Sequence, residues 1–198
     1  MQQDFPALAD LTAQTVQCDI QDVDAGLEAY SSPAFYMIPP IDALMQNTIR
    51  INRSSTADGI ELYTTLAHEG YPGHLYQTVY SSLVCDTQTL PIRKLFSYGG
   101  YVEGWAYYTE RISYEYAAQV LAEAEGSLGS SSPAALLCTL LAQQRDLQIN
   151  LFCLLDLSLH YYGAEKSELL RSLESFGLSE EQLSLIHISE PTRHLRIS

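Results

Sequence analysis

Residues 66–74 read Leu-Ala-His-Glu-Gly-Tyr-Pro-Gly-His, and no other stretch restricts the fold so tightly. Ahead of it, Ile60, Tyr63 and Ala67 share one helical stripe and Leu62 and Leu66 the next, a pattern that predicts a largely buried helix. Pro72 lacks the N–H that a helix interior needs, and its ring clashes with the preceding turn. The helix is therefore predicted to break at Pro72-Gly73, and a second to run from His74 to Val84. His68 and His74 are six residues apart, about 240° around a continuous helix, so an unbroken helix would point the rings away from each other. A break at Pro72-Gly73 can turn the chain so that His74 faces His68.

That pairing matters because zinc sites often take two imidazoles from one helix, with a carboxylate beside the first to activate water. The usual spacing is H-E-x-x-H, four residues bringing both rings to one face. Here Glu69 follows His68 directly and the second histidine comes two residues late. Two readings stay open: a metal pair made possible by the break, or two histidines serving as cap or core residues.

A second candidate segment is Tyr101-Val102-Glu103-Gly104-Trp105-Ala106-Tyr107-Tyr108-Thr109-Glu110, inside a predicted helix over Tyr101–Ala124. Glu103 and Glu110 lie seven residues apart on one face. A carboxylate from a later helix is the third protein ligand that a two-histidine site needs. Glu103 sits among Val, Gly, Trp and Ala, an apolar setting in which an unpaired carboxylate is costly. Glu110 is a candidate acceptor behind a ligating imidazole; plain solvent exposure is the alternative.

The third segment is Asp156-Leu157-Ser158-Leu159-His160-Tyr161-Tyr162-Gly163, at the end of a long helix that Ser132 caps and Pro133 opens. Asp156 and His160 stand at i, i+4, so the carboxylate can orient the ring. His160, Tyr161 or Tyr162 can stabilise an oxyanion; a helix-end histidine satisfied by Asp156 is the competing reading. Gly163 ends this helix, and Glu165–Phe176 is a last amphipathic helix closed by Gly177.

Elsewhere the pattern is less regular. Residues Met1–Leu27 show weak helical spacing, Pro33 and Pro39-Pro40 bracket an extended stretch at Ala34–Ile38, and Asn47–Asn52 (NTIRIN) alternates as a short strand does. Ser54–Gly59 and Gly126–Ser132 read as loops. With 46% apolar residues the 198-residue chain can bury a core as one domain. A net charge of −14 argues against a nucleic-acid or anionic-membrane surface. Neither a secretory leader nor an apolar run long enough to span a membrane is present. The four cysteines have no metal spacing, and Cys138 and Cys153, in apolar helical runs, are expected as buried thiols. Leu183–Arg193 (LSLIHISEPTR) matches the translation of a sequencing-library transposase adapter. Residues 183–198 are therefore expected to be a non-native tail behind a catalytic part at residues 1–182, and Ser179 to open a helix that is cut short.

LAHEGYPGHLYQ (Leu66–Gln77), GYVEGWAYYTE (Gly100–Glu110) and LLDLSLHYYG (Leu154–Gly163) resemble, in order, segments of the bacterial family called domain of unknown function 885. SPAFYMIPPID (Ser32–Asp42) and NTIRIN also look like its upstream region. That family groups with HExxH-type peptidases whose third ligand is glutamate. The resemblance implies a mainly α-helical, metallopeptidase-like fold, of which this chain is the active-site half, with a short β edge strand next to the metal helix. It implies Zn2+ held by His68, His74 and Glu103, with Glu69 as general base and a peptide or small amide as substrate. NTIRIN matches in position the edge strand that cradles a peptide, which makes Asn47, Ile49 and Ile51 substrate-binding candidates by strand addition. The third motif departs from the family pattern at Ala164, where Trp is usual, and at Ser158, where Gly is common. Family members are several hundred residues long, so this chain is expected to be an internal piece. Its location stays open between cytoplasm and export, with any targeting signal upstream. A metal hydrolase of non-peptide amides or esters, and a non-catalytic metal-stabilised binding protein, remain as rivals.

Overall fold

The computed structural model of the chain describes residues 4–55, 59–85, 96, 98–126 and 132–177. The expected adapter-derived tail, the helix opening at Ser179 and most of the Gly/Ser loop lie outside them. Two compact units divide the chain, Met1–Thr139 and Leu140–Ser198.

The first unit holds three strands, β1 (Gln17–Asp22), β2 (Ala34–Met37) and β3 (Gln46–Ile51), followed by helices α1 (Gly59–Glu69), α2 (His74–Cys85) and α3 (Gly99–Ala124). Helix α4 (Pro133–Asp156) starts in this unit and continues into the second, which also holds α5 (Lys166–Glu174). The protein is thus mainly α-helical with one small sheet. No described helix is long and apolar enough to cross a membrane.

The sheet order is β1-β3-β2, with β1 parallel and β2 antiparallel to β3. Strand β3 is therefore central. This corrects the expectation of an edge strand at NTIRIN: both its hydrogen-bonding sides are taken, and no further strand can add there. Its alternation instead buries Ile49 and Asn47. Ile49 joins Ala34 and Tyr36 from β2 and Leu75 and Val79 from α2 in the core, with Ile51 and Leu66 packed against it. Each large side chain buried in this way stabilises by about 1.5–3 kcal/mol. Asn47 is tolerated because its amide is satisfied. It accepts from the Tyr36 hydroxyl at 2.7 Å and donates to the Gln17 and Leu44 carbonyls at 3.2 Å. Asn47, Ile49 and Ile51 thus hold the sheet together.

Strand β1 replaces the weak helix expected before Leu27. All six of its residues are exposed, so it carries no buried stripe and depends on backbone pairing with β3. Arg53 Nε reaches Asp22 at 2.7 Å and Arg50 reaches Asp24 at 3.2 Å, tying the acidic strand and its exit to β3 and its exit.

Helix α1 is buried only in its second half, and the buried residues are Thr64, Ala67, His68 and Glu69. Tyr63, expected inside, is 38% exposed. Ser132 caps α4 as expected, its hydroxyl accepting from Ala135 N–H at 3.2 Å. Cys138 is buried and Cys153 exposed, the latter against expectation. Residues 143–156 of α4 contain no buried side chain, so apolar composition there does not bury the thiol.

Candidate metal centre

The C-terminal turn of α1 delivers His68 and Glu69, and the chain then reverses through Gly70-Tyr71-Pro72-Gly73 to start α2 at His74. Two glycines are required by close approach. A Cβ on Gly73 would overlap the carbonyl oxygens of Ala67 and His68, and one on Gly70 would press on the Leu66 carbonyl at 2.9 Å. The Tyr71–Pro72 peptide is cis. The reversal brings the two imidazoles edge to face with centroids 4.8 Å apart. Donor atoms of His68, Glu69 and His74 all fall within 4.8 Å of one another.

Helix α3 packs on α1 and α2 and supplies the other carboxylates. Glu103 Oε2 lies 3.6 Å from His68 Nε2 and 3.6 Å from His74 Nε2. Its side chain is 63% exposed, so the apolar neighbours in sequence lie on other faces of α3 and do not enclose it. The His68 and His74 rings beside it hold its carboxyl well below the usual carboxylate range. Two turns on, Glu110 is buried, and its Oε2 accepts from His68 Nδ1 at 2.8 Å. Burial alone would pull the His68 pKa down. The Glu103 carboxylate 3.6 Å away, the hydrogen bond to Glu110 and the nearby Glu69 charge outweigh it and push the imidazole up to about 9. With the proton on Nδ1 held by Glu110, Nε2 is the nitrogen turned to Glu103 and His74.

Glu69 occupies a different position in the cluster. Its Oε2 accepts from the backbone N–H of Tyr36 at 2.9 Å, across 33 residues. A buried carboxylate needs such a donor, and this bond fixes the direction of the second oxygen. Thr109 Oγ1 donates to the Ala106 carbonyl at 2.9 Å with the Ala67 carbonyl 3.4 Å away, and Trp105 Nε1 donates to the Pro72 carbonyl at 2.8 Å. These three contacts were missed in the sequence. Seven-residue spacing puts Glu103 and Glu110 on one face of α3, and four-residue spacing puts Trp105 and Thr109 on another, but neither says what those faces meet.

The donor set fits a zinc ion. Four bonds of about 2.0–2.1 Å at tetrahedral angles place donor atoms roughly 3.3 Å apart, and Glu103 stands close to that spacing from both imidazoles. Glu69 completes the group whose donor atoms all lie within 4.8 Å of one another, yet Tyr36 N–H already holds one of its oxygens. Glu103, 3.6 Å from both Nε2 atoms, is the better-placed candidate for a third ligand.

His160, Tyr161 and Asp156 belong to the second unit. Residues Leu157–Tyr161 widen into a π-helical turn, with Tyr162 N–H bonded to the Leu157 carbonyl at 3.1 Å. His160 Nε2 stands 3.7 Å from Asp156 Oδ1, both exposed, so the i, i+4 pair forms. Tyr161 and Tyr162 are exposed with rings 5.0 Å apart, edge to face.

The family profile of bacterial proteins of unknown function called DUF885 matches residues 1–181. The chain belongs to this family. A crystal structure from Colwellia psychrerythraea, of a protein described only as a candidate lipoprotein, is similar with a TM-score of 0.61 at 21% identity. The match covers 92% of this chain and 29% of that one, so the DUF885 chain described here spans under a third of its length. At that identity the likeness establishes fold alone. No curated protein matches this DUF885 chain.

Proposed function

We propose that this DUF885 protein carries the metal centre of a zinc-dependent hydrolase acting on peptide bonds. The observation that carries the proposal is the meeting of His68, His74 and Glu103. Two imidazoles from either side of a helix break and a carboxylate from a separate helix converge, with Glu103 3.6 Å from each ring. His68, His74 and Glu103 hold the ion, and Glu110 orients His68 through Nδ1. When bound, zinc acidifies water towards a pKa of ~7 and polarises a carbonyl. Glu69, anchored by Tyr36 N–H, takes the proton from the attacking water and returns it to the leaving amine. The exposed side of Glu103 leaves the centre open to a substrate. A free amide or ester fits the same chemistry, and a substrate panel separates these classes.

The test is Glu69→Gln, which keeps shape and removes the base. Zinc binding should persist while peptide hydrolysis by a full-length protein carrying this segment falls by about 10²–10⁴-fold. Undiminished hydrolysis takes Glu69 out of that role. Absence of zinc binding in the unaltered protein removes the metal centre altogether.

A further inference from the structure

Two of the four residues in the break between α1 and α2 are glycine, so its shape rests on Tyr71, Pro72 and the hydrogen bonds of its backbone. Pro72 is fully buried and has no N–H, and its carbonyl must find a donor or lose the free energy of an unmet hydrogen bond. That donor is the indole of Trp105, at 2.8 Å. Trp105 comes two residues after Glu103 on α3. The helix that offers the third carboxylate therefore also grips the residue two places before His74. The indole is itself immobilised: it stacks on Tyr76 at 6.4 Å and 17°, and meets Phe5 edge-on at 6.0 Å. Filling space needs no particular orientation of the ring, whereas here the N–H is aimed at a buried carbonyl of the segment that sets the angle between the two histidines.

We infer that Trp105 is a positioning residue of the metal centre, which acts through the Pro72 carbonyl to fix His74 relative to His68 and Glu103. The inference rests on the metal-centre reading above. Losing the bond lets the Tyr71–Gly73 segment relax, and the cost falls on the geometry of the ion's ligands.

The test uses the whole chain with Co2+ and Zn2+ as probes and two replacements of Trp105. Trp105→Phe removes the donor and part of the ring. Incorporation of 3-benzothienylalanine at the same position keeps ring shape and stacking and removes only the N–H. Zinc affinity, measured by competition with a chromophoric chelator, should fall at least tenfold in both, and the visible bands of bound Co2+ should shift in energy or intensity. If the Phe protein fails to fold, the benzothienyl protein decides. Zinc affinity within twofold of the original together with an unchanged Co2+ spectrum, even with a lowered melting temperature, overturns the inference and leaves Trp105 as packing. A protein with native Trp105 that binds neither ion overturns the metal centre itself, a separate result.

Discussion

Two glutamates on α3 meet one imidazole from opposite sides, and their surroundings assign them different work. Glu103, open to solvent, faces Nε2 of His68 and of His74, whereas Glu110, buried, takes the Nδ1 proton of His68. A buried carboxylate on the far nitrogen raises the basicity of the near one and fixes the ring's tautomer and angle. Glu110→Gln keeps an acceptor but loses the charge, so zinc affinity is expected to fall by about 10–100-fold with little change in helix content. Titration of the purified variant with zinc against a chelator, alongside far-ultraviolet circular dichroism, measures both; undiminished affinity would leave Glu110 with a structural role only. The residues of this site differ in how far sequence alone reveals them. His68, Glu69 and His74 fall within seven residues and stand out as a candidate group, and Glu103 is named as a candidate by the resemblance and by its place on a later helix. The Tyr36 N–H on Glu69 and the Trp105 N–H on Pro72 each join residues 33 apart, and a backbone donor leaves no mark in residue types at all.

At the scale of elements, the break between α1 and α2 brings His74 beside His68, and glycine there differs from glycine inside α3. At Gly73 any side chain runs into the Ala67 and His68 carbonyls, which are backbone and cannot swing aside. Gly73→Ala should therefore destabilise beyond the ~3 kcal/mol that bounds most substitutions, and should abolish zinc binding. Gly104, inside α3 and one residue past Glu103, meets nothing within 4 Å of an added Cβ. Gly104→Ala should stabilise by up to ~1 kcal/mol, because alanine restricts the unfolded chain and suits a helix. Urea unfolding of both variants checks the contrast, and equal effects would remove close approach as the reason for Gly73. Elements with local signals were legible: the helix break at Pro72, the helix end at Gly163, the Ser132 cap, the proline-bracketed extended stretch that became β2, and the alternation that became β3. Strand β1 was not, because its residues are all exposed and a polar edge strand has no periodic stripe to read. The central place of β3 was also hidden, since strand order is a matter of distant pairing and not of any strand's own residues.

Over the whole molecule, the question is whether a chain with 24 acidic and 10 basic side chains binds zinc at one built site or diffusely over an acidic surface. The two cases differ in what they do to folding. A site assembled from α1, the start of α2 and α3 does not exist in the unfolded chain, so its ion binds the folded state alone and stabilises it by mass action, about 2.7 kcal/mol at a hundredfold excess over Kd. For a chain of this size each kcal/mol moves the melting temperature by ~2–4 °C, so zinc should raise it by about 5–10 °C and a chelator should reverse the rise. Carboxylates spread over the surface remain in the unfolded state, bind there equally well, and give no such shift. Replacing His68 and His74 together by alanine removes two ligands and none of the acidic charge, and should leave a melting temperature that zinc does not move. Calorimetry on both proteins at 0.15 M salt, where exposed charges are screened beyond about 8 Å, makes the comparison. An equal zinc-induced rise in the doubly substituted protein would place the ion on the acidic surface and not between the two histidines.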